Sequence, residues 1–212
     1  MTLVRHGAYL VTNALLYSAL WPTHRTIDVR WSQSFDDLER DAAERPVLFC
    51  SLHRYGYLLF MVFGRQVPAS MQPRVIGHDG HASRMQTRAG VWAGYPLVEF
   101  KRQSLQTPRG QLIEHLRGRP GPVALLPDSG GPYGTVKPGV IEIASATDAV
   151  IVPWAARCIR GCVTVGRTMR HVVPLPFGRV EVARGRTLRA GERTRAALQS
   201  ELDALEERVA ER

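Results

Sequence analysis

Runs of mostly apolar residues alternate with segments of helical periodicity through the middle of this chain. The runs lie at residues 47–52, 74–77, 97–100, 122–126 and 149–155. A run that is apolar at nearly every position is typical of a strand buried on both faces of a sheet. The segments between them predict helical structure at about 55–63, 82–92, 108–117 and 140–147. This alternation predicts an α/β fold, with a mostly parallel sheet, right-handed crossovers and flanking helices.

The segment before the first run predicts an edge strand and a helix. Residues 26–31 alternate apolar and polar positions, as a half-buried strand does. Ser34 is the predicted N-cap of a helix that runs to about Glu44, with acidic residues in its first turn, and Pro46 marks its end.

The C-terminal third predicts two further peripheral strands and a last helix. The strands are expected at residues 162–165 and 180–183, joined by an extended, proline-stiffened loop at 172–177. From about residue 191 onward, four apolar residues recur at helical spacing: Leu198, Leu202, Leu205 and Val209. This pattern predicts an amphipathic helix that covers the domain as a lid.

Length and composition favour one globular domain. The chain has 212 residues, of which 44% are hydrophobic and 22% charged, so it can bury a substantial core. We expect a single domain over 1–212, with an N-terminal helical and edge-strand segment (1–45), a core (46–188) and a C-terminal helix (189–212).

The charge balance indicates an anionic partner. The formal net charge is +9 and the isoelectric point is about 10.2. Lys101 and Lys137 are the only lysines, so arginine, which suits phosphate and carboxylate recognition, supplies nearly all the positive charge. A bias in genomic base composition would produce the same enrichment. The arginines are dispersed rather than clustered with aromatic residues, and no nucleic-acid-binding motif is visible, so no nucleic-acid partner is expected.

The N-terminus and the cysteines favour a cytoplasmic protein. Residues 1–21 are mostly apolar but carry Arg5 and His6 and lack a secretory cleavage site. They predict either a core-packing helix or an interfacial helix that contacts the inner face of the membrane peripherally. The three cysteines, Cys50, Cys158 and Cys162, do not form a disulfide framework, and we expect buried, reduced thiols.

Polar residues follow four successive predicted strands. They are His53, Asp79, the pair Lys101 and Arg102, and Asp128, which opens a rigid loop rich in glycine and proline. The carboxyl ends of parallel strands meet at one edge of a sheet, so these groups can converge despite their separation along the chain. The sequence therefore predicts a site at this edge, although a plain turn at Asp128 would account for the loop alone.

Histidine is the best candidate for proton transfer in such a site. His53 is the predicted general base, because histidine titrates near neutral pH. Asp79 is the preferred carboxylate to fix its tautomer, and Asp128 is the alternative. A structural role for a histidine at a strand end is the alternative. His78, Asp79 and His81 form only a weak metal-binding pattern, and no metal is expected. A Gly-x-Ser-x-Gly elbow and a phosphate-binding P-loop are both absent from the sequence.

The loop and its flanks resemble the lysophospholipid acyltransferase superfamily. The resemblance is closest to a bacterial branch of uncharacterised proteins, in which a Pro-Asp-Gly-Pro-x-Gly-Pro loop precedes Lys-Pro-Gly. The matching segments are SLHRYGYLL, VIGHDG, LLPDSGGPYGTVKPGVIEIASATDAVIVPWAA and PLPFGRVEV. They occur in the same order as in that branch and extend over about residues 47–182.

The resemblance implies a glycerolphosphate acyltransferase-like fold and acyl transfer. An acyl group would move from acyl-CoA or acyl carrier protein to a hydroxyl or amine of a lipid, glycolipid or specialised metabolite. His53 would deprotonate the acceptor, and loop amides or Arg102 would stabilise the oxyanion. The residues expected to bind substrate are Lys101, Arg102, Asp128, Ser129, Gly130, Gly131 and Pro132. The reaction needs no metal or redox cofactor.

Two departures from the superfamily pattern bear on the acceptor and the mechanism. The superfamily has an aspartate five positions after the histidine, where this chain has Leu58. Its phosphate-binding Glu-Gly-Thr-Arg loop is replaced by residues 128–131, which contain no arginine, so a glycerol-phosphate acceptor is not expected. A non-catalytic lipid- or carrier-binding relative, and a thioester or ester hydrolase, are the alternative functions.

Overall fold

A computed structural model describes residues 21–63, 67–78, 94–100, 106–167 and 170–210 of the chain. Its centre is a five-stranded sheet flanked by helices. In spatial order the strands are β1 (Asp28–Trp31), β7 (His171–Arg184), β6 (Val150–Val165), β2 (Val47–Cys50) and β5 (Pro122–Leu125). Only the β6–β7 pair is antiparallel, since β1–β7, β2–β6 and β2–β5 are parallel. The predicted α/β class with a mostly parallel sheet is therefore confirmed.

A separate parallel pair lies beside β5. It consists of β3 (Val75–His78) and β4 (Leu97–Phe100). A parallel bridge from Arg74 to Val123 joins this pair to the main sheet.

The described helices begin and end where local chemistry favours it. They are α1 (Asp36–Glu44), α2 (Leu59–Val62), α3 (Pro108–Gly118), α4 (Pro138–Thr147) and α5 (Arg195–Ala210), with 3₁₀ turns at His53–Tyr55 and Ala69–Met71. Thr107 caps α3 by accepting a hydrogen bond from the Gly110 amide at 3.2 Å, and a proline opens both α3 and α4.

The core lies on both faces of the sheet. All four residues of β2 are fully buried, as expected for a strand between two parallel neighbours. On one face the ring of Trp154 packs against Trp31, Tyr55 and Phe63. Leu198, Leu202 and Leu205 of α5 are buried and α5 packs mainly against β6, which confirms the predicted covering helix.

Most of the predicted elements are present with small shifts of their ends, but two details were wrong. Ser34 does not cap α1, because Phe35 occupies the N-cap position, and this helix has no side-chain capping hydrogen bond. Residues 172–177 are part of β7 rather than a loop, and β6 continues through 162–165 as one long strand. Prolines are tolerated there because, among the described strands, no third strand pairs with the far halves of β6 and β7. The predicted helix at 82–92 and residues 1–20 lie outside the described residues.

The expectation of three reduced, buried cysteines was correct only for Cys50. That thiol is fully buried, and burial raises its pKa. Cys158 and Cys162, both in β6, form a disulfide that spans the register shift of β6 against β7. The bulge there brings the two cysteines together, which their four-residue spacing does not indicate.

Among the described residues, no helix combines the length and apolar character that a membrane crossing requires.

Candidate functional site

His53 begins a 3₁₀ turn directly after the carboxyl end of β2. Ser51 and Leu52, which connect it to the strand, are buried, whereas the His53 side chain is half-buried. Leu58, at the position where the resembled superfamily has an aspartate, is fully buried in the core. The carboxylate of this site therefore has to come from another part of the chain.

Asp128 supplies that carboxylate, in an unexpected geometry. It follows β5, the neighbour of β2, and is 1% exposed. Its Oδ1 accepts a hydrogen bond from the backbone amide of His53 at 2.8 Å, and its Oδ2 accepts one from the Gly134 amide at 2.9 Å. Asp128 therefore ties the start of the 3₁₀ turn to both ends of its own loop.

Ser129 and Lys137 place the loop against the imidazole. The Nδ1 atom of His53 lies 3.3 Å from Ser129 Oγ, and Lys137 Nζ donates to the Ser129 carbonyl oxygen at 2.6 Å. The interaction at Nδ1 leaves Nε2 as the nitrogen that can take a proton from a substrate. Ser129 therefore contacts both the His53 imidazole and the Lys137 ammonium.

The loop backbone is compact and largely satisfied internally. The Ser129 amide donates to the Leu126 carbonyl, and the Gly131 amide donates to the Asp128 carbonyl. Gly130 has a φ of +80°, which a side chain would strain, and a Cβ there would lie 3.3 Å from Lys137 Nζ. The Gly131–Pro132 peptide bond is cis, and Pro132 is exposed at the loop surface.

Helix α5 hydrogen-bonds both the Asp128 loop and the 3₁₀ turn that begins at His53. Gln199 donates to the Gly134 carbonyl at 2.9 Å and accepts from the Val136 amide at 2.7 Å. Glu206 accepts from Arg54 at 2.8 Å and from the Tyr55 hydroxyl at 2.6 Å. Burial raises the pKa of Tyr55, and the neighbouring Glu206 carboxylate raises it further.

Two aromatic rings contact the His53 ring, and a third packs against one of them. The ring of Tyr133 is centred 5.5 Å from it and that of His171 5.6 Å, while Tyr57 packs edge-on against His171 at 5.1 Å. The Nδ1 atom of His171 is buried without a hydrogen-bond partner among the described residues. His171 opens β7, so the β6–β7 hairpin reaches back to the site.

The histidines of the site are held toward their neutral forms. Burial lowers the pKa of His53, the Asp128 carboxylate opposes that effect, and His171 adds to it. Burial also lowers the pKa of His171, opposed by its bond to the His53 backbone and by Asp128. Both effects favour neutral imidazoles, the form that accepts a proton.

The structure brings together only part of the predicted site. His53 and the loop residues Asp128 and Ser129 are in contact. Asp79, Lys101 and Arg102 lie outside the described residues. Their predicted roles remain predictions.

Several residues of the site were not among the predicted groups. His171, Glu206, Gln199 and Lys137 do not lie at the ends of β2 to β5, where the predicted groups lie. Tyr133 and Lys137 belong to the singled-out loop, so their positions could have been included. His171 and the two α5 residues reach the site through contacts distant in sequence.

Within the described ranges, no three His, Cys, Asp or Glu side chains are grouped closely enough to hold a metal ion. A cleft of about 500 Å³ lies between β4 and α3, lined by residues that include Phe100, His115 and Arg119. None of its lining residues contacts His53 or the Asp128 loop through a hydrogen bond or ring contact described above.

No protein-family model matches this chain, and no curated protein matches it. The geometry of the site and the sequence motifs are therefore the basis for assigning a function.

Proposed function

We propose that this protein is an acyltransferase that moves an acyl group from acyl-CoA or acyl carrier protein to a hydroxyl or amine of a lipid, glycolipid or specialised metabolite. The observation that carries the proposal is the contact of the His53 imidazole with a loop anchored by Asp128. The residues of that contact belong to motifs that resemble the lysophospholipid acyltransferase superfamily. The proposal extends to a glycerolphosphate acyltransferase-like fold.

The reaction would proceed by general-base catalysis. His53 Nε2 takes the proton of the acceptor hydroxyl or amine as its oxygen or nitrogen attacks the thioester carbonyl. The tetrahedral intermediate then collapses, the carbon–sulfur bond breaks, and the imidazolium returns the proton to the departing thiolate. The products are the acylated acceptor and a free thiol, so atoms and charges balance without a metal or redox cofactor.

Asp128 and Lys137 would support the charges that develop in this sequence. The Asp128 carboxylate raises the proton affinity of His53, so it stabilises the imidazolium without bonding the ring itself. The Lys137 ammonium donates to the carbonyl oxygen of Ser129, the residue whose hydroxyl contacts His53. It is our candidate for stabilising the oxyanion, because the Ser129, Gly131 and Gly134 amides already have partners.

The proposal includes a cytoplasmic location, with peripheral contact at the inner face of the membrane. A basic chain suits both an acidic carrier protein and the phosphates of coenzyme A. Lipid acceptors reside at that same surface.

The test is an acyl-transfer assay with purified full-length protein. A panel of acyl-CoA and acyl-carrier-protein donors of different chain lengths is supplied with and without candidate acceptors. Thiol release is followed together with mass spectrometry of the products. We expect release that depends on the acceptor and yields an acylated product. Acceptor-independent release of the free acid would identify a hydrolase, and donor binding without turnover would identify a non-catalytic binder; either result would refute the proposal.

The acidic limb of the pH–rate profile should lie below pH 6.5, the ordinary histidine value. The folded-state pKa of His53 is lowered, mainly by burial, so its neutral, basic form persists to lower pH. The same shift affects stability, because the unfolded chain binds more protons than the folded protein just below pH 6.5. The free energy of unfolding therefore falls as the pH drops from 6.5 through the lowered pKa of His53 in the folded protein. The profile of kcat/KM with a non-titrating acceptor measures the limb.

The variant His171→Asn tests how His171 affects the pH at which the rate falls on the acidic side. Because His171 lowers the pKa of His53, its removal should move the limb upward while retaining it. A limb centred above pH 6.5 in the unmodified protein would contradict the assignment of His53 as the base.

A further inference from the structure

The β6–β7 hairpin extends beyond the carboxyl edge of the sheet. The last pair between β2 and β6 joins Cys50 to Pro153, yet β6 continues to Val165 and stays paired with β7 as far as His171. We call the described residues 159–167 and 170–177 the arm. At its base, Gly161 and Gly178 approach so closely that a Cβ on Gly161 would lie 2.9 Å from Gly178 Cα.

One face of the arm is apolar and exposed. Val163 pairs with Val173 and Val165 pairs with His171, so these side chains project from the same face. Val163, Val165 and Leu175 are each 42% exposed. Large apolar side chains gathered on an unpartnered face are typical of an interaction surface.

Phe177 extends this surface at the base of the arm. Its side chain is 73% exposed, the largest exposure among the large hydrophobic residues described. Its backbone amide donates to Thr26 Oγ1 at 2.9 Å, so the helical residues 21–26 lie beside it. These include Trp21, which is 50% exposed and has the Arg25 guanidinium over its ring at 5.2 Å.

The charge of the arm is of one sign. Residues 149–180 contain five arginines and no aspartate or glutamate. Arg157 and Arg179 pair with Glu181 and Asp28 at the base of the hairpin. The other three, Arg160, Arg167 and Arg170, are exposed, and none of them forms an ion pair with a described residue.

We infer that the arm docks on an anionic lipid surface, with its apolar face inserted among the acyl chains and its arginines at the headgroups. The exposed aliphatic and aromatic side chains match the acyl-chain region of a membrane, and the arginines beside them match its anionic headgroups. A protein partner or a second copy of this chain would need carboxylates opposite three arginines, and the arm itself offers none. Since His171 at the end of the apolar face contacts His53, docking would place the candidate site at the lipid boundary.

This inference names the element that binds the membrane, and it stands apart from catalysis. Vesicle binding can be measured without turnover, so failure of the acyl-transfer proposal leaves it intact. Conversely, transfer to a water-soluble acceptor can persist in an arm variant that no longer binds vesicles.

The test is co-sedimentation of the full-length protein with phosphatidylcholine vesicles, with and without phosphatidylglycerol. We expect binding that requires the anionic lipid and weakens with added salt. Phe177→Ser should lower the partition coefficient about tenfold or more, because it removes a large side chain from the inserted face. Phe177→Leu, which keeps an apolar side chain, should retain most of the binding.

A charge-matched pair isolates the electrostatic contribution. Arg170→Glu should lower partitioning about fivefold or more. Arg195→Glu makes the same change of net charge at the exposed first residue of α5, which lies outside the arm, and should leave partitioning nearly unchanged. Both substitutions are at exposed positions, so the pair remains informative even if Phe177→Ser fails to fold.

Three results would overturn the inference. One is equal binding to neutral and anionic vesicles. Another is unchanged binding of the arm variants, which would move the contact to another segment such as residues 1–20. The third is a dimer in light scattering without lipid that Phe177→Ser dissociates, which would make the apolar face a contact between two copies.

Discussion

Replacing His53 with alanine should lower the acyl-transfer rate by about 10²- to 10⁴-fold, the usual contribution of a general base. The imidazole combines a lowered pKa, a carboxylate nearby and an Nε2 atom that Ser129 does not contact. Its side chain is half-buried and makes one polar contact, with Ser129 Oγ, so the fold should survive its loss. The measurement is kcat/KM for thiol release, alongside thermal unfolding.

A second histidine provides the matched control. His115 is also partly buried and has a lowered pKa, owing to burial and the neighbouring Arg74 and Arg119, but it lies on α3. Its Nε2 lies 2.8 Å from Arg74 Nη1. His115→Gln keeps an acceptor for that arginine and should leave the rate close to that of the unmodified protein. An unchanged rate in His53→Ala would remove His53 from the mechanism, whatever the control shows.

Replacing Asp128 with asparagine should impair both stability and activity. The carboxylate is 1% exposed and accepts from two backbone amides, one through each oxygen. An asparagine has one acceptor oxygen, so its amide group must face the second N–H and leave that donor unpaired. Since hydrogen bonds to charged groups contribute about 1.5–3 kcal/mol each, we expect a loss of about 2–3 kcal/mol in the free energy of unfolding.

The loss of activity should exceed what unfolding alone explains. One of the two amides belongs to His53, so the substitution releases the residue that carries the base as well as the loop that faces it. Urea unfolding gives the stability change, and kcat/KM measured well below the unfolding transition gives the catalytic change. Asp36→Asn at the exposed start of α1 is the control and should change stability by less than about 0.5 kcal/mol. Wild-type stability in Asp128→Asn would show that the two hydrogen bonds contribute little.

The sheet could be predicted from the sequence because burial leaves a local pattern. The run at β2 is apolar at every position, since both of its faces and both of its neighbours are protein. The same reasoning located His53 and Asp128 at strand ends on one edge of the sheet, and the structure shows that these two strands are neighbours. Their contact was therefore predictable in outline, although Asp79 was the preferred partner of His53.

The arm was misread because its strands do not carry a buried-strand pattern. Residues 172–177 contain two prolines, and their apolar positions are partly exposed, so they looked like a stiff loop. Pairing with the far half of β6 makes them a strand, and the bulge that admits this pairing depends on the contact between Gly161 and Gly178. The sequence of either segment alone therefore does not indicate that contact.

By itself, the sequence determined the α/β class and which segments form buried strands. It also determined that His53 and Asp128 follow such strands at the carboxyl edge of the sheet. These follow from hydrophobic periodicity and from the geometry of parallel strands, which are local or generic properties. Only the tertiary structure decided that Asp128 bonds the His53 backbone rather than its ring. It also brought His171, Gln199 and Glu206 to the site. The physical reason is that a hydrogen bond depends on ångström-scale distances between residues as far apart as Arg54 and Glu206, 152 positions along the chain.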